Sequence, residues 1–377
     1  MKYYIIAGEA SGDLYGSNLV RELKLKDSKA DIRAWGGDLM QEQGVDLVKH
    51  YKDHNYMGFL EVIRNLGTIL KNITFCKKDI KAFSPDALIL IDFPGFNMRI
   101  AKYFYQYSFP VLYYIAPQVW AWKENRVEAI KKYVDKLYVI LPFEKEFLKK
   151  HGVESNYVGH PLLEHILNFK NKASVSKSKF TVKHGLEVGK PIISLLPGSR
   201  KQEIEKKLPV MLRAVSTYSK EFNIVIAGMK NFKDLYGKIT SNSSAKVIYM
   251  DTYNLLNNSS RALVTSGTAT LETAFFNVPQ IVCYKTSWLS YIIAKSLVKI
   301  KYISLVNLIM EKEIVKELIQ NNLSVFKLTK ELNILNDDLA LNKMKESYQL
   351  LIAKCQGKNV SKNIATDMFK TIESFQK

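Results

Sequence analysis

Cysteine is scarce. The 377 residues hold three, Cys76, Cys283 and Cys355. They stand far apart, without a CxxC pair, and no histidine cluster has zinc-finger spacing. Neither a disulfide framework nor a structural zinc site is expected, and the thiols read as reduced and buried. Long apolar runs are lacking as well. No uninterrupted stretch reaches the ~20 residues that span a bilayer. The nearest, Trp288 to Met310, is broken by Lys295, Lys299 and Lys301. The N-terminus enters a strand-like run at once, without the charged lead, apolar core and cleavage site of a signal peptide. A cytosolic protein, or one peripheral on a membrane surface, is expected.

Acidic residues are outnumbered. There are 36 Asp and Glu against 55 Lys and Arg, a net charge of +19. That surplus points to an anionic partner: nucleic acid, anionic lipid or a phosphorylated substrate. No helix-turn-helix or RNP-like motif supports nucleic acid, so none is expected. No Asp-x-Asp motif occurs either. A metal-bound nucleotide sugar is therefore not indicated, and protein donors would have to neutralise a leaving diphosphate.

What is present is enough for two cores: the chain is long for one domain and 47% hydrophobic. Short apolar runs recur at Tyr3–Ala7, Ala87–Ile91, Val111–Ile115, Leu137–Leu141, Ile192–Leu196, Ile224–Ala227, Val247–Met250, Ala262–Thr265 and Gln280–Tyr284. They are strand-length with little alternation, the pattern of strands buried on both faces. Helical patterns lie between several of them, at Ser17–Lys24, Ile100–Gln106 and Pro209–Lys220. The alternation predicts an α/β fold of two doubly wound domains facing a cleft. The Lys-, Ser- and Asn-rich stretch Asn168–Lys183 is the boundary candidate, giving domains 1–183 and 184–344 and a helical tail 345–377. From about Ile314 onward the chain reads as helix and turn.

Ligands of open α/β sheets bind beyond the carboxyl ends of the strands, so the residues after each run carry the information. Gly8-Glu9-Ala10-Ser11-Gly12-Asp13 is neither a Walker A loop nor a GxGxxG fingerprint; it reads as an anion-facing turn or as a plain turn capped by Ser11 or Asp13. Asp92, before Phe93-Pro94-Gly95-Phe96-Asn97, reads as a general base or as an Asx-turn. Trp120 and Trp122, beside Pro117 and Gln118, read as an apolar wall for a sugar or acyl chain or as core filling. Pro197-Gly198-Ser199-Arg200 joins free backbone N–H groups to a guanidinium fork suited to phosphate. Ser266-Gly267-Thr268 opens another helix. Glu272, one turn on, suits ribose hydroxyls or complements the helix dipole.

Taken together, these segments resemble the lipid-A-disaccharide synthase family. The resemblance also rests on Leu141-Pro142-Phe143-Glu144, Gly159-His160-Pro161, Glu203-Ile204, Ser304-Leu305-x-Asn307-Leu308 and Glu317-Leu318-x-Gln320, in order from about residue 3 to 320. It implies a GT-B-type transferase of two Rossmann-like domains, inverting, with no cofactor and no metal. The implied donor is a UDP-2,3-diacylglucosamine and the acceptor 2,3-diacylglucosamine 1-phosphate. Carried over, Asp92 becomes the base, and Ser199, Arg200, Ser266, Gly267 and Thr268 the diphosphate cradle. Glu272 takes the ribose and Asn307 lines the donor site. Glu9, Ser11, Asn97 and Gln118 lie on the acceptor side, and His160 has a structural role at the hinge. Phe93-Pro94-Gly95 stands where the family often has Ala-Pro-Asp, which removes a second carboxylate. The resemblance implies an enzyme working at the anionic inner-membrane surface, with a homodimer left open as its assembly. One helical face through Leu60, Ile63, Leu66, Leu70 and Ile73 reads either as a membrane contact or as a core-facing stripe.

Overall fold

Strands form where the apolar runs stand. The computed structural model describes residues 1–53, 65–122, 126–288, 291 and 301–376. The first sheet contains β1 (Lys2–Ala7), β2 (Asp31–Gly36), β3 (Asp46–His50), β4 (Ala87–Ile91), β5 (Val111–Tyr114) and β6 (Lys136–Tyr138). Its strands are all parallel, in the order β3-β2-β1-β4-β5-β6. The second contains β7 (Ile192–Leu196), β8 (Asn223–Gly228), β9 (Lys246–Tyr249), β10 (Arg261–Thr265), β11 (Gln280–Tyr284) and β12 (Lys316–Ile319). It repeats the same order as β9-β8-β7-β10-β11-β12, again wholly parallel. In each sheet the connection reverses direction beside the first strand. The switch points are therefore the β1/β4 and β7/β10 gaps, where doubly wound sheets bind ligands.

Three strands lay outside the expected runs: β2, β3 and β12. β3 and β12 are edges, half-buried and carrying Asp46, Lys49, Lys316 and Glu317. One-sided burial breaks the continuous apolar signature. β12 also corrects the reading of the chain beyond Ile314 as helix and turn alone. The helix expected from Pro209 runs instead over Lys201–Val215, with Pro209 inside it.

The chain forms two compact units, Met1–Glu164 with Gln356–Lys377, and His165–Cys355. The expected boundary stretch holds the end of one helix, Pro161–Lys172, and a second, Lys177–Lys183. In the first unit, the core gathers Tyr4, Trp35, Leu88, Leu90, Phe96 and Phe104. In the second, it gathers Leu195, Ile204, Met211, Ile226, Leu263 and Leu328.

The last helix, Val360–Phe375, belongs to the first unit and packs on Ala10–Lys26. Glu164 Oε2 accepts bonds from the Ser361 amide (3.0 Å) and hydroxyl (2.6 Å), fixing the helix N-terminus. Beside it the backbone passes itself closely. Gly159 has φ +114°, and a Cβ there would lie 2.6 Å from the Gly357 Cα. A Cβ on Gly357 would lie 1.9 Å from the Val158 carbonyl oxygen. Gly357→Ala is expected to cost about 1–3 kcal/mol through forced backbone displacement. An unchanged urea-denaturation midpoint of the first unit would contradict that packing.

His160, next to this crossing, is buried, and burial pushes its imidazole down to about 3. Its Nδ1 accepts the Leu162 amide at 3.2 Å.

Candidate active site

In the first unit, the carboxyl ends of β1, β4 and β5 carry the candidate residues. After β4 the chain turns sharply: Asp92 and Phe93 both have positive φ, +46° and +50°. Ile115, after β5, has φ +65°, unusual for a β-branched residue. Such conformations persist only where surrounding bonds impose them. The Asp92 amide donates to the Tyr114 carbonyl at 3.0 Å. The Asp92 carbonyl accepts from the Tyr113 hydroxyl (2.6 Å) and from Asn97 Nδ2 (2.8 Å). Gly8 is the seat of Phe93: a Cβ there would lie 2.3 Å from the ring. Phe93 in turn stacks on Phe96.

Each of these bonds to Asp92 uses its main chain. The carboxyl group is held by the turn, and burial pushes it up to about 6 against a backbone hydrogen bond from Phe93. A carboxylate of that acidity is mostly ionised at pH 7 yet basic enough to accept a proton.

A second carboxyl group, Glu144, stands close enough to feel Asp92. It is buried, and burial raises it to about 7, with the Asp92 charge pushing the same way. Its Oε1 accepts Trp120 Nε1 at 3.0 Å, and Oε2 accepts the Ile140 and Leu141 amides at 3.2 and 2.9 Å. Glu144 thereby ties the loop after β5 to the loop after β6.

Asn97 is wholly buried. Its Nδ2 also reaches the Ile6 and Ile91 carbonyls at 3.3 Å, linking the ends of β1 and β4 beneath the Asp92 turn. Asp13 is buried too, and caps the backbone of residues 37–40 through bonds of 2.8–3.1 Å to Gly37, Leu39 and Met40. Glu9 and Ser11 are half-buried at the start of Ala10–Lys26, and Gln118 is exposed. The side chain of Trp122 lies outside the described residues.

In the second unit, the residues expected to form the diphosphate cradle follow β7 and β10, the two strands flanking the switch point. Gly198 has φ +115°, a conformation glycine tolerates. Ser199 and Arg200 are exposed, and Arg200 opens Lys201–Val215. Burial and the nearby Glu203 charge raise the phenol of Tyr284, the last residue of β11, while the Arg200 charge lowers it. Gly267 (φ +138°) precedes the helix Thr268–Phe275. The Ser266 hydroxyl donates to the Ile303 carbonyl at 2.9 Å. Burial raises Glu272 to about 7, and its Oε1 accepts the Tyr253 hydroxyl at 3.3 Å.

Asn307 is placed differently from the others. It is fully buried; its Nδ2 donates to the Val315 carbonyl and Glu317 Oε1, and its Oδ1 accepts the Ile314 and Val315 amides. Glu317 also accepts the Ile303 and Ser304 amides, both at 2.9 Å. Asn307 and Glu317 thus hold the turn on which Ser266 rests.

Sequence reading missed Glu144 as a partner of Asp92, and the buried bonding of Asp13, Asn97 and Asn307. Among the described residues, no group of three His, Cys, Asp or Glu side chains is placed to hold a metal ion.

Known proteins resemble this chain over most of its length. The family described as lipid-A-disaccharide synthetase matches residues 3–369. A lipid-A-disaccharide synthase of Acidobacterium capsulatum is 32% identical, covering 94% of this chain and 91% of its own. Lipid-A-disaccharide synthase 1 of Legionella pneumophila is 34% identical over 93% of this chain and 94% of its own. A UDP-GlcNAc 2-epimerase from Neisseria meningitidis, solved with UDP-GlcNAc, shares the two-domain Rossmann-like fold at TM-score 0.68 and 12% identity, covering 98% of this chain and 100% of its own. The chain therefore belongs to the lipid-A-disaccharide synthase family, glycosyltransferases of lipid A biosynthesis.

Proposed function

We propose that the protein transfers 2,3-diacylglucosamine from its UDP derivative to 2,3-diacylglucosamine 1-phosphate, with inversion and without a metal ion. The observation that carries the reading is Asp92, a carboxylate of raised pKa held by main-chain bonds at the switch point of the first sheet. Asp92 takes the proton of the acceptor hydroxyl as its oxygen forms a bond to the anomeric carbon. The bond from that carbon to the UDP oxygen breaks, and UDP leaves with both its electrons. The Arg200 guanidinium and the amides of the Gly198–Arg200 and Ser266–Thr268 turns offset the charge that grows on the diphosphate. Glu272 takes the ribose. Asn97 and Asn307 position the loops rather than touching substrate.

The lipid substrates give the surplus of basic residues a purpose. Leu66 and Leu70 are exposed one turn apart on the helix Leu66–Phe83, which also exposes Lys71 and Lys78. An apolar and cationic surface of this kind suits an anionic membrane. Ile73 of the same expected face is buried, and Leu60 and Ile63 lie outside the described residues. Among the described residues, no helix is long and apolar enough to cross a membrane.

The test is substrate dependence. UDP release requires both acylated sugars, and UDP-GlcNAc alone yields no epimer. Epimerisation of UDP-GlcNAc alone would overturn the reading. The acidic limb of kcat/KM adds a check on the base. A proton acceptor works only when ionised, so activity climbs with pH through about 6 and levels off above it. A rate constant across that range would remove Asp92 from the role.

A further inference from the structure

Beneath the turn that follows β7 lies a charged pair that the proposed reaction does not use. Lys207, on the helix Lys201–Val215, is 1% exposed. Its Nζ donates to the Thr265 hydroxyl at the end of β10 and stands 3.6 Å from Glu203 Oε1. The other Glu203 oxygen, Oε2, accepts the Ser199 amide at 3.2 Å. A Cβ on Gly198 would lie 2.3 Å from it. Glu203 therefore holds the Gly198–Arg200 turn from below. It also puts a negative charge directly under the loop assigned to a diphosphate.

We propose that Lys207 is a positioning residue whose buried ammonium neutralises Glu203 and so keeps the loop receptive to an anion. The inference rests on the assignment of this loop to the UDP diphosphate. Burying a lysine is costly without a compensating partner. Burial does lower its proton affinity, and Arg200 adds to this, while Glu203 restores it. The Glu203 carboxylate accepts the Ser199 amide and so holds the Gly-Ser turn, yet left bare it would repel the phosphates. Lys207 resolves that conflict. Through Thr265 it also ties the end of β10, hence the Ser266–Thr268 turn, to the turn after β7. One side chain thus connects both halves of the cradle across the switch point.

Calorimetric titration with UDP and with uridine tests the assignment, with thermal unfolding followed in parallel. Lys207→Met leaves Glu203 uncompensated, and UDP affinity falls about tenfold or more, by like-charge repulsion at short range. Uridine, which has no phosphate, binds as before. Adding Glu203→Gln to that variant removes the repelling charge while keeping an acceptor for Ser199, and UDP affinity returns to within about threefold of wild type, as a coupled pair requires. Glu203→Gln alone, which stays informative should Lys207→Met unfold, binds UDP at least as tightly as wild type. The proposal is overturned if Lys207→Met folds and binds UDP normally, if Glu203→Gln fails to rescue it, or if Glu203→Gln alone weakens UDP. Arg200→Ala separates the two readings. If it weakens UDP while Lys207→Met does not, only this inference fails. If neither changes UDP affinity, the cradle assignment fails with it.

Discussion

Asp92→Asn lowers the rate of transfer by about 10²–10⁴, the range for loss of a general base, with UDP affinity unchanged. The substitution isolates chemistry from folding for reasons visible in the turn. The Tyr113, Tyr114 and Asn97 bonds reach only the Asp92 backbone, so the amide inherits all three. Asparagine also tolerates the φ of +46° at this position better than most residues. The proposed diphosphate cradle belongs to the other compact unit and contains no part of this turn. Steady-state kinetics with both acylated sugars, beside a UDP titration, gives the two numbers. A variant that turns over near the wild-type rate would show that another group accepts the proton, and Glu144 would be the first to examine.

The second large effect is on the leaving group. Arg200→Ala weakens UDP binding by about 10- to 100-fold, the range for losing a charge-assisted contact to phosphate. It also slows transfer, because charge on the diphosphate grows as the glycosidic bond breaks. The backbone at Arg200 is extended, at φ −114°, and any residue adopts it. The fold should therefore survive the change. Arg200→Lys restores charge but not the planar fork, so it recovers only part of the affinity. UDP affinity unchanged in Arg200→Ala would take the guanidinium out of the cradle.

The legible parts of the fold are those with a one-dimensional signature. β1, β4, β7 and β11 are buried along nearly their whole length, so each reads as an apolar run. β3 and β12 face solvent at the sheet edges and carry charge, which hides them from the same reading. Candidate residues that directly follow a central strand, such as Asp92, Arg200 and Thr268, were visible because the strand ends announce them. Partners supplied by another segment were not. Glu144 lies 52 positions from Asp92, and nothing local to Leu141–Glu144 signals that the two charges meet. Nothing in the sequence around Lys207 marks it off from the other lysines of this basic chain. Only the packing of its helix against β10 turns it into a buried cation. Asn97 and Asn307 show the reverse: a polar residue in a motif suggests a ligand contact, while three-dimensional bonding makes it an anchor for the loop beside it.

The central claim is that a protein carboxylate and protein cations alone carry the transfer. The direct measurement is product analysis with purified enzyme, UDP-2,3-diacylglucosamine and 2,3-diacylglucosamine 1-phosphate in excess EDTA, following UDP release and assigning the new linkage by NMR. The account predicts one UDP per disaccharide, a β-linkage from the α-linked donor, and a rate untouched by the chelator. Turnover that appears only when magnesium is restored, or an α-linked product, would contradict it.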